Sequence, residues 1–154
     1  DREKSINAFI KAYSTIKTYA DPIKVYIENN VIIESNLTQG KDNSLMLTNF
    51  TEYKELFSRM AFPLLLDIGH LKVTCRTLSL DFYREMGKFV EVSDYFHLSD
   101  NDGYSDSNNS ILEDGNLFNI LKQFNLKNKT ITLEIYRPMV EIKAAYDLIL
   151  KLVC

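Results

Sequence analysis

The sequence predicts an α/β fold in which strands and helices alternate and the strands join a parallel sheet. Three observations lead there. Apolar residues recur at helical spacing in separate stretches, with short β-branched and aromatic runs between them. One run, Phe62-Pro63-Leu64-Leu65-Leu66-Asp67, is almost wholly apolar, as parallel strands covered on both faces must be. Finally, each of the four runs closes on an ionisable residue: Glu28, Asp67, His97 or Glu134.

Residues 5–20 place Ile6, Phe9, Ile10, Tyr13, Ile16 and Ala20 on one helical stripe. Asp21-Pro22 ends it, because the residue before a proline avoids the helical region. A strand is expected over 23–28, closing on Glu28. Residues 31–49 carry no clear periodicity, apart from an evident loop at 40–44. A short helix is expected over 51–60, with Tyr53, Leu56, Phe57 and Met60 turned inward, then a strand over 62–67. Leu78, Phe82, Met86 and Phe89 predict a helix over 77–89. Tyr95-Phe96-His97-Leu98 reads as a strand, and the polar stretch 99–110 as a loop rich in candidate ligands. Asn116 is the expected cap of a helix carrying Leu117, Ile120, Leu121 and Phe124. A last strand covers 130–135, and Pro138 suits the first turn of a final helix with Ile142, Ala145, Tyr146, Ile149 and Leu152.

The order is one helix and then a βα unit four times, which implies right-handed crossovers. Four such units make either a small open sheet or half of an eight-stranded barrel, and periodicity does not separate the two. A chain of 154 residues, 45% hydrophobic and 25% charged, has ordinary globular composition and the length of one domain. The net charge of −3 supplies no general basic field and argues against a nucleic-acid partner. No apolar run approaches the roughly 18 residues a membrane span needs. The charged opening Asp-Arg-Glu-Lys does not read as a secretory signal. Cys75 and Cys154 have neither metal-ligand spacing nor disulfide density, so two free thiols in a reducing, cytoplasmic setting are expected. Arg76 beside Cys75 is the one feature that would favour a reactive thiolate.

In parallel α/β folds the carboxyl ends of the strands share one side of the sheet, where active sites form. Three carboxylates converging there would repel and raise one another's pKa values. A divalent cation resolves that conflict, and one imidazole with three carboxylates suits Mn²⁺, Mg²⁺, Co²⁺ or Zn²⁺. Any single acid after a strand is more often a helix cap or a solvated loop charge. Four strand ends out of four make a shared polar site the expectation.

The segments Val25-Tyr26-Ile27-Glu28-Asn29, Leu65-Leu66-Asp67-Ile68-Gly69-His70, Phe96-His97-Leu98-Ser99-Asp100-Asn101-Asp102-Gly103 and Thr132-Leu133-Glu134 resemble the last four strands of xylose isomerase-like barrels. That superfamily includes sugar phosphate isomerases and epimerases and the endonuclease IV-type enzymes. The resemblance covers nearly the whole chain, and the Asp-x-x-His and His-Leu-Ser-Asp-Asn segments are its most specific parts. It implies a (β/α)₈ (TIM) barrel of which residues 1–154 are the C-terminal half, strands five to eight, with the N-terminal half absent. A half-barrel has bare edge strands, so pairing with a second copy as a homo-oligomer is expected.

The resemblance further implies that Glu28, Asp67, His97 and Glu134 bind the metal and that His70 touches substrate, or a second metal in the nuclease branch. Asp106 and Asn108 fall in a substrate-contacting segment where many members have Asp-x-His, so Asn108 departs from the pattern, and the glycine-rich stretch that usually follows is eroded to Leu112-Glu113-Asp114-Gly115. Lys72, Arg76 and Arg137 follow strand ends and are candidates for a substrate phosphate or carboxylate. Tyr104 is a candidate to stack on a sugar ring. The implied activity is metal-dependent isomerisation or epimerisation of a sugar or sugar phosphate through an enediolate. Glu28 and Glu134 would be the catalytic pair, on opposite sides of the substrate carbon. Two alternatives stand beside it: endonuclease IV-type cleavage at abasic DNA, and an inactive barrel serving as a binding protein.

Overall fold

The structure, a computed structural model, describes residues 1–37 and 45–153. The loop expected at 40–44 and Cys154 lie outside the described residues. Four strands form one sheet in the order β1 (Ile27–Glu28), β2 (Leu64–Asp67), β3 (Tyr95–Leu98), β4 (Thr130–Leu133), and every neighbouring pair is parallel. Helix α1 (Arg2–Ala20) precedes the sheet, and α2 (Glu34–Leu37) and α3 (Phe50–Arg59) link β1 to β2. Helices α4 (Ile68–Thr77) and α5 (Phe82–Val92) link β2 to β3, α6 (Asn116–Leu121) links β3 to β4, and α7 (Met139–Val153) follows β4.

Sequential order with parallel pairing places right-handed crossovers on one side of the sheet. The burial pattern agrees. Leu64, Leu66, Phe96 and Leu98, which alternate with the site residues along β2 and β3, are fully buried. They share one apolar cluster with Ile6 of α1, Leu56 of α3, Leu71 of α4, Phe89 of α5, Leu121 of α6 and Ile149 of α7. Along β3 and β4 the opposite positions, Tyr95, His97, Thr130 and Thr132, stay partly or wholly exposed. Only the central β2 is buried at all its positions, as its apolar run requires.

Several boundaries differ from the sequence expectation. Strand β1 is confined to Ile27–Glu28, because it lies at the edge and pairs only with Leu64 and Leu65. Helix α4 begins directly after Asp67, whereas periodicity placed the helix of this region at 77–89; the second helix there runs Phe82–Val92 from an Asp81 cap. Helix α4 is rich in Gly, Val, Thr and Cys, poor helix formers, and is held by its Asp67 cap and by burial of Ile68, Leu71, Val73 and Cys75. Gly115, not Asn116, occupies the cap position of α6, and no side chain caps it.

The 99–110 segment is a loop as expected, but a tightly tethered one. Asp100 and Asn109 form a backbone bridge, and the buried Asn101 donates to the Gly69 carbonyl and accepts from Gly103 N–H. Gly103 takes a positive φ of 82° to make the turn. Gly69 is the point of closest approach: a Cβ there would come within 2.8 Å of Ser99 Oγ and 3.2 Å of Asp67 Oδ1. Gly69→Ala is expected to lower stability by about 1–3 kcal/mol, the usual result of overpacking, as read by urea unfolding. An unchanged midpoint would mean that the loop does not rest on α4.

Candidate metal centre

The register puts the four strand-end residues on one side. Asp67 pairs directly with His97; Glu28 pairs with Leu65, two residues before Asp67; His97 pairs with Thr132, two residues before Glu134. Side chains two residues apart, or directly paired across parallel strands, point the same way. Each of Glu28, Asp67, His97 and Glu134 accordingly offers one ligand atom within 4.8 Å of the others.

His97 is the centre of the group. Its Nδ1 lies 3.0 Å from Glu134 Oε2, 3.3 Å from Glu28 Oε1 and 3.9 Å from Asp67 Oδ2. That nitrogen is buried and makes no hydrogen bond. Asp67 is 1% exposed, whereas the Glu28 and Glu134 side chains are 39% and 31% exposed, so the site has a closed floor and an open mouth.

Asp67 divides its carboxylate between two tasks. Oδ1 accepts from His70 N–H at 2.7 Å and so caps α4, while Oδ2 faces His97. Burial pushes its pKa from 3.8 up to about 6, His70 and its N–H pull the other way, and Glu28 and Asp106 push further up. His70 Nδ1 donates to the Asn29 carbonyl at 2.8 Å, and Nε2 lies 3.1 Å from Asp106 Oδ2. Burial alone would depress the His70 pKa, but Asp67, the Asn29 carbonyl, Asp106 and Glu28 together hold it above its ordinary value.

Of the candidate substrate ligands, His70 and Asp106 are drawn to the edge of this group, and the buried Asp106 Oδ1 has no hydrogen-bond partner. Asn108 is buried at a positive φ of 47°, and its Oδ1 accepts from Ser99. The Lys72 ammonium is met by Asp100 and the Asn101 carbonyl. Arg137 is exposed and bonds Asn109, and Arg76 stacks on the Tyr104 ring at 3.5 Å. Cys75 is buried with its thiol pushed up to about 12 by that burial, which makes it inert despite the neighbouring Arg76.

Sequence reasoning missed Asn29. Its buried amide accepts from Asp67 N–H at 2.7 Å and donates to the Asp67 carbonyl at 3.0 Å. The only signal was an amide directly after a strand-end glutamate. The chain matches no family model, no curated protein and no solved structure.

Asp67 and His70 both have folded-state pKa values raised above the ordinary ones, so the folded state binds protons more tightly than the unfolded chain. Stability from Asp67 is therefore full below about pH 4 and is lost as pH rises through about 6. At about 1.4 kcal/mol per pKa unit, the loss is on the order of 1–3 kcal/mol. In metal-free protein, Asp67→Asn should raise unfolding free energy at pH 7 by that amount, measured in urea with a chelator present. A drop in stability would mean that the charge is already compensated without a cation.

Proposed function

We propose that the protein is a divalent-metal-dependent isomerase or epimerase of a sugar or sugar phosphate, built on a (β/α)₈ barrel of which this sheet is about half. The observation that carries the reading is the convergence of four ligand atoms within 4.8 Å at the carboxyl ends of adjacent strands. The donor set fits a cation: a buried imidazole nitrogen without a hydrogen bond faces three carboxylate oxygens. A proton satisfies one such contact, and a divalent ion satisfies all four. Once bound, the ion would act as a Lewis acid on substrate oxygens.

The register supports a barrel. From Glu28 to Glu134 the site climbs four residues relative to the hydrogen-bond ladder over three strand steps. A barrel of eight strands and shear 8 advances about one residue per strand at constant height. An apolar groove of about 200 Å³ along the outer side of β4, lined by Ile131, Leu133, Tyr146 and Ile149, is where a further βα unit would seat.

The chain's own residues then divide the chemistry. Glu28 and Glu134 are the more exposed carboxylates and stand at the carboxyl ends of the two outer strands, so they can approach a substrate carbon from different sides. One removes the proton next to a carbonyl and the other returns it. Both ring nitrogens of His70 are engaged, by the Asn29 carbonyl and by Asp106, so His70 reaches a substrate oxygen only by exchanging its Asp106 contact for it. A mouth lined by Glu28, Asp106 and Glu134 favours a small polyol over a polyanionic backbone, which weighs against abasic-DNA cleavage. No helix among the described residues is long and apolar enough to cross a membrane.

The test is incubation of the complete barrel with Mn²⁺ and a panel of ketoses and their phosphates in D₂O. Deuterium should enter a substrate C–H position. Glu28→Gln, Asp67→Asn, His97→Ala and Glu134→Gln should each reduce exchange by about 100-fold or more. His70→Ala should lower activity while keeping most of the metal. Cleavage of an abasic duplex without exchange on any sugar would overturn the ranking.

A further inference from the structure

Among the described residues, the side chains of Ser93 and Asn29, which flank strands of this sheet, reach across to a neighbouring strand's backbone at its opposite ends. At the amino end, the buried Ser93 hydroxyl contacts the Leu64 carbonyl at 2.7 Å and the Tyr95 carbonyl at 2.9 Å. At the carboxyl end, Asn29 stands one residue past the last paired position of β1. Its carboxamide closes a two-point bond with both the N–H and the C=O of Asp67, in place of the backbone contacts that a longer β1 would have made. Its own N–H still reaches the Leu65 carbonyl at 3.4 Å, and its own carbonyl receives His70 Nδ1–H at 2.8 Å.

From this arrangement we infer that Asn29 is a positioning residue that sets the metal centre without touching it. The inference rests on the reading of Glu28, Asp67, His97 and Glu134 as a cation site. Asn29 is the chain neighbour of Glu28, the backbone clamp of Asp67 and the acceptor for the His70 ring. One residue therefore fixes the relative placement of three groups on three elements, β1, β2 and α4. The amide is suited to this where other polar side chains are not. A carboxylate there could accept from Asp67 N–H but would repel the Asp67 carbonyl, and a hydroxyl does not span both atoms. Groups that hold ligands without binding metal typically change metal affinity by about 10- to 100-fold when removed.

The experiment compares wild type, Asn29→Ala, Asn29→Asp and Ser93→Ala in two measurements. The first is backbone amide exchange at Asp67 by NMR, which needs no metal. The second is Mn²⁺ affinity by titration calorimetry. Asn29→Ala should speed exchange at Asp67 by about 10-fold or more relative to Leu66, and should weaken Mn²⁺ binding by about 10-fold or more. Asn29→Asp keeps the acceptor and loses the donor, so it should protect the Asp67 amide while still weakening Mn²⁺. Ser93→Ala should lower the unfolding midpoint without moving either readout at the carboxyl end.

Unchanged exchange at Asp67 in folded Asn29→Ala would overturn the inference whatever the metal does. So would Mn²⁺ losses in Ser93→Ala equal to those in Asn29→Ala. Failure of both Asn29 variants to fold, with Ser93→Ala folded, would also overturn it and make Asn29 a purely structural residue. Wild type that binds no Mn²⁺, with faster Asp67 exchange confined to Asn29→Ala, would sink the cation reading and leave the clamp standing.

Discussion

Parallel pairing makes direct neighbours across strands point to the same side, and most of this molecule follows from that constraint. Because Asp67 pairs with His97, a carboxylate and an imidazole must stand side by side. Because Glu28 and Glu134 stand two residues out of step with Asp67 and His97 respectively, they come to that same side and no other. A sheet side committed to four ionisable groups cannot also supply the core. Leu64, Leu66, Phe96 and Leu98 therefore carry the burial on the opposite side, under the helices. A slip of one residue in any strand would exchange the two sides and bury charge against Phe89 and Leu71. The polar site and the apolar core thus enforce each other's register.

The same constraint concentrates unfavourable electrostatics at Asp67. Strand β2 is buried along its length, so the Asp67 carboxylate is almost wholly withdrawn from water while two glutamates stand nearby. The chain answers with local hydrogen bonds. Oδ1 is engaged as the α4 cap, and the backbone on both sides of the residue is clamped by Asn29. Oδ2 receives no such answer and looks towards His97. The capping role that a lone acid after a strand would suggest is real here, and it uses half of the carboxylate. The other half is a buried carboxylate oxygen to which the fold offers the His97 ring at 3.9 Å, and under the proposed function it is the oxygen left for the cation.

Where the sequence spoke clearly, the information was local and repeated. Ionisable residues at the ends of four apolar runs were legible without any structure, because strand ends of one parallel sheet must lie together. Local patterning failed where long-range contacts decide. Helix α4 has a composition that argues against a helix, and its stability comes from a cap and from contacts with β3 and α5. Strand β1 reads as six residues and forms two, because an edge strand stops where its single neighbour's register stops. Asn29 was invisible because its partner is 38 positions away and is backbone, which no residue pattern records. Lys72 and Arg76 looked free in sequence for the same reason, although Asp100 and Tyr104 occupy them.

The tethering of the 99–110 loop explains how a polar segment of ordinary loop composition contributes to the site at all. Lys72 on α4 holds Asp100, Asn101 holds the Gly69 carbonyl, and Ser99 holds Asn108. Two of these bonds fix the loop against the same helix that Asp67 caps, and the Ser99–Asn108 bond braces the loop internally. Asp106 is thereby delivered to His70, whose other nitrogen is already engaged by Asn29. A carbonyl accepts and does not donate, so Nδ1 must carry its proton, and the imidazole then presents Nε2 to a carboxylate. The ring is left in one orientation between two acceptors, beside Asp67 and Glu28 at the floor of the site, and these acids help hold its pKa above the ordinary value. An orientation set by strand β1, helix α4 and the loop together moves only when one of those three moves, so the loop belongs to the site's rigid frame and not to its surroundings.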